Sequence, residues 1–244
     1  MMKKLFMLFT AVISMAVIVS SCSKPEKPDN NGDDNGNGNE EVTEALITVD
    51  GEFADWIGLP NVAVSEVPED AAYVSLITMK AVADKTNVYL YFEFEPADEQ
   101  TKAPITIEFD ADDDPSSGLT DFHWADVGWD YALESSAGFL GNGNYVKIND
   151  FKLLKPMAGY DGQARTWDPS NCTDGAAKGV KNKGKTVNGL LCFEMNVPRT
   201  LIKADKKGTL RVATYVENQD WQEVGLLPID DGLGMTEMME VSLP

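Results

Sequence analysis

The octapeptide Asn87-Val88-Tyr89-Leu90-Tyr91-Phe92-Glu93-Phe94 places a large apolar side chain at 88, 90, 92 and 94. This is the two-residue period of a strand, not the 3.6-residue period of a helix. Upstream, Tyr73 to Val82 is equally rich in β-branched and aromatic residues, and the two runs flank Ala83-Asp84-Lys85-Thr86. The pair is predicted to form an antiparallel hairpin whose core face carries Val88, Leu90, Phe92 and Phe94.

Working outward, a first strand is expected to end at Val49-Asp50-Gly51. Further strands are expected at Ile105 to Phe109, Trp129 to Leu133, Tyr145 to Ile148, Val187 to Val197, Leu210 to Val216 and Glu237 to Val241. Turn and strand signals at such short intervals suit a sandwich or barrel. One short helical turn is expected at Arg199 to Lys203, after Pro198. No domain segment keeps an amphipathic helical period over about 11 residues, and no repeat of about 20 to 50 residues is visible. The fold class is therefore all-β.

The N-terminus has another character. Lys3 and Lys4 precede an apolar run from Leu5 to Val19, broken only by Thr10 and Ser14, which is the pattern of a signal peptide and too short to span a bilayer stably. It ends at Val19-Ser20-Ser21-Cys22, which resembles a lipobox, so residues 1–21 are expected to be removed and Cys22 to carry the lipid. Residues 22–43 are then the lipidated cysteine and an Asn-, Asp- and Gly-rich tether, too poor in apolar surface to offset chain entropy. A flexible chain of about 20 residues spans roughly 25 Å root-mean-square. The predicted location is the outer membrane, on its surface or periplasmic face. The acidic stretch after Cys22 is similar to the export tags of surface lipoproteins in glycan-utilisation systems.

Residues 44–244 suffice for one β-rich domain. The chain carries 40 acidic against 20 basic residues, a net charge of −20 that deepens to −22 once Lys3 and Lys4 are removed. As a whole, such a polyanion is repelled by nucleic acid and anionic headgroups, which leaves neutral ligands and cations as partners. The remaining cysteines, Cys172 and Cys192, form an even pair in an oxidising compartment. A disulfide between them would contribute roughly 3 kcal/mol, and a buried thiol at Cys192 is the competing expectation.

Four stretches, taken in order, resemble the carbohydrate-binding module family 9-like domains. Ile47-Thr48-Val49-Asp50-Gly51 with Phe53-Ala54-Asp55-Trp56 resembles their opening, and Asn87 to Phe92 the strand after their first hairpin. Ile107-Glu108-Phe109-Asp110 with Asp112, Gly118, Asp130-Tyr131 and Glu134 resembles their acidic mid-section. Phe193-Glu194-Met195-Asn196-Val197-Pro198 resembles a late strand end, and Val212 to Gly225 follows the same plan. The resemblance covers roughly residues 45–243. It implies a jelly-roll-like β-sandwich of two antiparallel sheets that binds sugars and often calcium, an architecture shared with DOMON domains. Unlike the xylanase-linked members, this chain is expected to carry no attached catalytic domain. The implied partners are a polysaccharide or oligosaccharide and a glycan-import complex. A protein-contacting or adhesion lipoprotein without a sugar ligand is the alternative.

The densest chemistry is Asp110-Ala111-Asp112-Asp113-Asp114-Pro115, followed by Asp121, Asp126 and Asp130. So many carboxylates repel one another unless a cation neutralises them. Oxygen donors on an irregular loop suit calcium, whereas zinc would want Cys or His. Asp110, Asp112, Asp114 and Asp130 are the candidate calcium ligands, against a solvated acidic loop. For sugar stacking the candidates are Trp124, Trp221 and Trp167 with Asp126, against partial burial under a loop. Phe122 and Tyr160 are weaker candidates, and Trp56 and Trp129 are expected to be packed. His123 is the only histidine, which removes multi-His metal catalysis. Haem ligation would need it opposite one of ten methionines. Glu134 and Glu194 are expected to be structural, and the usual enzyme motifs are missing, so no catalysis is expected.

Overall fold

The computed structural model describes residues 45–73, 75–95, 103–114, 116–119, 123–125, 128–137, 139–140, 144–145, 151–156, 172–218, 220–230 and 236–244. Residues 1–44, with the signal peptide, Cys22 and tether expected there, lie outside the described residues. So do Asp121, Phe122, Asp126, Tyr160 and Trp167.

The chain is all-β. Its strands are β1 (Ala63–Glu66), β2 (Leu76–Ala83), β3 (Asn87–Phe94), β4 (Ala103–Asp110), β5 (Tyr131–Ala137), β6 (Phe139–Leu140), β7 (Asn144–Tyr145), β8 (Lys152–Pro156), β9 (Cys172–Ala176), β10 (Lys181–Val187), β11 (Leu190–Pro198), β12 (Gly208–Glu217), β13 (Glu223–Leu227) and β14 (Met239–Leu243). Two antiparallel sheets make the sandwich. One is ordered β1-β2-β3-β11-β10, and the other β13-β12-β4-β5-β8-β9 with β14 also paired to β12. β6 and β7 form a separate small hairpin.

The predicted hairpin is present, with Ala83 opposite Val88 and Met79 opposite Phe92. Val88, Leu90, Phe92 and Phe94 are all buried in the main core, where Phe193 stacks on Phe92 at 4.7 Å and on Phe94 at 5.5 Å. Ile105, Ile107 and Phe109 of β4 meet them from the other sheet. Alternation then turns Thr106, Glu108 and Asp110 to the outward face of the seven-stranded sheet. All three are nonetheless buried.

Four expectations are corrected. Ile47 to Gly51 is not a strand: Leu46 to Leu59 lies as a strap over the outward face of the five-stranded sheet. There Ile47 and Trp56 pack on Val82, Tyr89, Tyr91 and Cys192 in a second small core. The helical turn sits in this strap, a 3₁₀ turn at Phe53–Trp56, while Arg199 to Lys203 is a hydrogen-bonded turn. Val187 to Val197 is not one strand, because Asn188 and Gly189 adopt left-handed φ values of 51° and 89° and fold β10 back onto β11. Cys172 and Cys192 are not bonded to each other. Cys192 lies beneath the strap, whereas Cys172 packs with Leu119, Trp129, Ala132 and Leu154 on the opposite sheet.

Candidate functional site

At the end of β4 the chain leaves the sheet and returns at Tyr131. Leu119 and Trp129 pair as an isolated bridge, with Leu119 N donating to Trp129 O at 2.9 Å and Trp129 N to Leu119 O at 3.0 Å. Gly118 makes this return possible. Its φ is +71°, and a β-carbon there would lie 2.5 Å from the Trp129 carbonyl oxygen.

Within this excursion Asp110, Asp112 and Asp130 converge, each offering a carboxylate oxygen within 4.8 Å of the other two. The Asp113 amide donates to Asp110 Oδ1 at 2.8 Å, and the Ala111 amide to Asp130 Oδ2 at 2.9 Å. Ser117 Oγ donates to Asp112 at 3.1 Å. Asp110 Oδ2 is buried and has no hydrogen-bond partner. A buried carboxylate oxygen without a donor is costly.

The electrostatics follow from that burial. Desolvation pushes the Asp110 carboxyl up to about 6, opposed by the Asp113 amide and reinforced by the negative charges of Asp130, Asp112 and Asp113. Asp130 is raised as well, by burial first and then by Asp112, against the Ala111 amide. Three carboxylates held together this way need protons or a cation. Among the described residues this group offers oxygen donors, and calcium takes such ligands on irregular loops.

Asp114, the fourth expected ligand, is not in this group. Its Oδ1 accepts from Ser116 Oγ at 2.6 Å and Ser116 N at 2.9 Å, which holds its carboxyl below the usual range. Asp113 is paired instead with Arg211 at 2.7 Å.

The two leading tryptophans have opposite environments. Trp124 is 1 % exposed, which removes it as a ligand contact and fits the alternative of burial. Its indole N–H donates to the Pro228 carbonyl at 3.0 Å, and its ring lies beside His123 and Tyr215. The polar residues near it in sequence say nothing of the sheet onto which the segment folds. Trp221 is 71 % exposed, at the tip between β12 and β13. Its left-handed φ of 61° turns the hairpin, and Asn218 fixes the tip: Oδ1 accepts from Asp220 N at 2.9 Å and Gln222 N at 3.0 Å. The indole therefore stands in solvent on a braced turn among Asn218, Asp220 and Gln222. Trp129 is fully buried and Trp56 nearly so, as expected.

Two further constellations join residues distant in sequence. Glu194, on the outward face of β11, accepts from Asp50 N at 2.9 Å and Gly51 N at 2.7 Å through Oε1, and from Trp56 Nε1 at 3.0 Å through Oε2. The Asp-Gly, Asp-Trp and late Glu features of the sequence are thus one structural tie that fastens the strap. Glu134 lies on the other sheet, so Glu134 and Glu194 do not face one another as an acid and base. On that sheet His123 Nε2 meets Glu223 Oε1 at 2.7 Å. Burial raises Glu217 beside them, as do the charges of Glu223 and Glu134, while His123 opposes the rise. No local sequence signal joins His123 to a partner a hundred residues away.

No protein-family model matches the sequence, and no curated protein matches it.

Proposed function

We propose that the chain is a membrane-anchored, extracytoplasmic, non-catalytic module that binds glycans, stabilised by calcium and belonging with the carbohydrate-binding module family 9-like domains. The single observation that carries glycan binding is Trp221: a large apolar ring 71 % exposed on a turn locked by Asn218. Exposing an indole costs solvation free energy unless a ligand covers it. A pyranose C–H face fits a flat ring, and Asn218, Asp220 and Gln222 supply donors and acceptors for the hydroxyls. Calcium is supported by the orphaned Asp110 Oδ2 and the convergence of Asp110, Asp112 and Asp130, which would hold the ion. Bound there, the cation supplies charge neutralisation and fixes the loop that returns over the sheet.

A glycan array probed in calcium and in chelator tests the function, with Trp221→Ala alongside. Binding to a polysaccharide that the substitution abolishes is expected. Silence toward all glycans contradicts it and favours the protein-contacting alternative, for which an exposed indole also serves. Anchoring is tested by labelled palmitate, which wild-type chain should incorporate in cells and a Cys22→Ala chain should not.

A further inference from the structure

Two buried polar atoms of opposite character stand on paired residues of β4 and β12. Asp110 and Arg211 are direct partners in the antiparallel register, so their side chains leave the same outward face with β-carbons about 5 Å apart. Asp110 Oδ2 has no hydrogen-bond donor, and Arg211 Nε has no hydrogen-bond acceptor. A guanidinium and a carboxylate fit one another as a fork, so joining these two residues would satisfy both atoms. The fold directs the guanidinium elsewhere. Arg211 Nε lies 2.7 Å from Asp113 Oδ1, a charge contact that is not a hydrogen bond, and Nη2 lies 3.6 Å from Glu240 Oε1. Glu240 is the partner of Arg211 on its other side, in β14. Three acids therefore surround one guanidinium, and the most deeply buried of them is the one it does not pair with. Asp113 is built for this diversion. It adopts a left-handed φ of 57°, which Asp tolerates better than most residues. Its amide thereby donates to Asp110 Oδ1 at 2.8 Å while its carboxylate engages Arg211.

We propose that Asp113 is a positioning residue of the cation site: by engaging Arg211 it keeps the guanidinium off Asp110 and so reserves Asp110 Oδ2 for the metal ion. The inference rests on the calcium reading of Asp110, Asp112 and Asp130 and deepens it, because it gives that site an internal competitor on the neighbouring strand. A guanidinium and a divalent ion at Asp110 would claim the same oxygen, so each excludes the other. Without the Asp113 charge, Arg211 is left with Glu240 and Asp110. The Glu240 side chain is 63 % exposed, where an ion pair contributes little. Asp110 is fully buried, where an oxygen without a partner is costly, and the balance moves Arg211 to Asp110. Asp112 and Asp130 alone then offer too few oxygens for calcium, which takes about six to eight.

The test is a double-mutant cycle read by calcium calorimetry on wild-type chain, Asp113→Asn, Arg211→Met and the two combined. Asn keeps the size and the left-handed tolerance of Asp while losing its charge, and Met fills the volume of the arginine stem without an N–H. Asp113→Asn should weaken calcium binding at least about tenfold when residue 211 is Arg and less than about threefold when it is Met, a coupling within the range of residues that share one ion-pair network. The smaller loss is that of the Asp113 charge itself. Equal losses in the two backgrounds, or none in either, overturn the proposal, because Asp113 would then act through its charge or its turn alone. A wild-type chain that binds no calcium contradicts the calcium reading, and the movement of Arg211 is read separately without metal. The chain has three arginines, Arg165, Arg199 and Arg211, so nitrogen-15 labelling of arginine gives a simple NMR spectrum. In chelator, the Arg211 Nε proton should move downfield in Asp113→Asn, as a new hydrogen bond requires, and return when Asp110→Ala is added. No movement, or a movement that survives the loss of Asp110, overturns the proposal whether or not calcium binds. This arm needs no substitution at residue 211, so it holds even if Arg211→Met fails to fold.

Discussion

Asp110 is where a single side chain states the chemical problem of the site most sharply. Its Oδ2 is buried without a donor, and its carboxyl is raised from 3.8 to about 6. The folded state therefore holds a proton that the unfolded state has released between those values, and stability falls as pH rises through that window. In chelator, lowering the pH from about 7 to about 5 should raise this group's contribution to the melting midpoint. Calcium replaces the proton, so the midpoint increase it gives should be largest near pH 7 and shrink toward pH 5. At about a hundredfold excess over Kd the ion should add roughly 2.7 kcal/mol. Asp110→Asn should abolish that gain while raising the midpoint in chelator, and a retained calcium response in the variant would remove Asp110 from the site. Glu194 makes a different demand. Glu194→Gln must present an amide to the Asp50 and Gly51 amides or to the Trp56 indole, one side losing its acceptor, and should cost about 1–3 kcal/mol in denaturant unfolding. Trp124→Ala should cost about 3–5 kcal/mol, whereas Trp221→Ala should stay within about 0.5 kcal/mol because its ring is in solvent.

At the scale of elements, the β2–β3 hairpin is legible because one face of β3 alternates cleanly and Asp84 closes the turn on Thr86 and Asn87. The other face is not legible, since Tyr89 and Tyr91 are buried only by the strap that Glu194 fastens from 143 residues away. β10 is missed because Lys181-Asn182-Lys183-Gly184-Lys185 is polar throughout, as an edge strand is. The Asn188-Gly189 signal that ends it was available. In the aspartate loop the crowding of carboxylates is readable and their partition is not: Asp114 turns to Ser116 and Asp113 to Arg211. The first is a local turn two residues long, and the second, across to β12, does not follow from spacing. The loop's closure hangs on Gly118, so Gly118→Ala should weaken calcium binding and lower the midpoint, because the added methyl meets backbone and not a side chain that can move aside. Calorimetry with calcium reads this directly, and an unchanged affinity would separate the loop's geometry from the site.

Across the whole molecule, composition carries fold class and average charge but not which surfaces hold them. The aspartates gather at the end of β4, beside the start of β12, and among the described residues an exposed indole stands at the far end of β12. A sandwich with a single main core holds the aspartate cluster and the exposed indole at opposite ends of one strand. Trp221 is therefore the point at which scaffold and function meet. Electrophoresis of wild-type and Trp221→Ala chains side by side through native gels containing plant, fungal or bacterial polysaccharides tests this claim most directly. At least one polysaccharide should retard the wild-type chain and leave the variant at its control mobility. Retardation of both chains alike, or of neither in every polysaccharide, would contradict it.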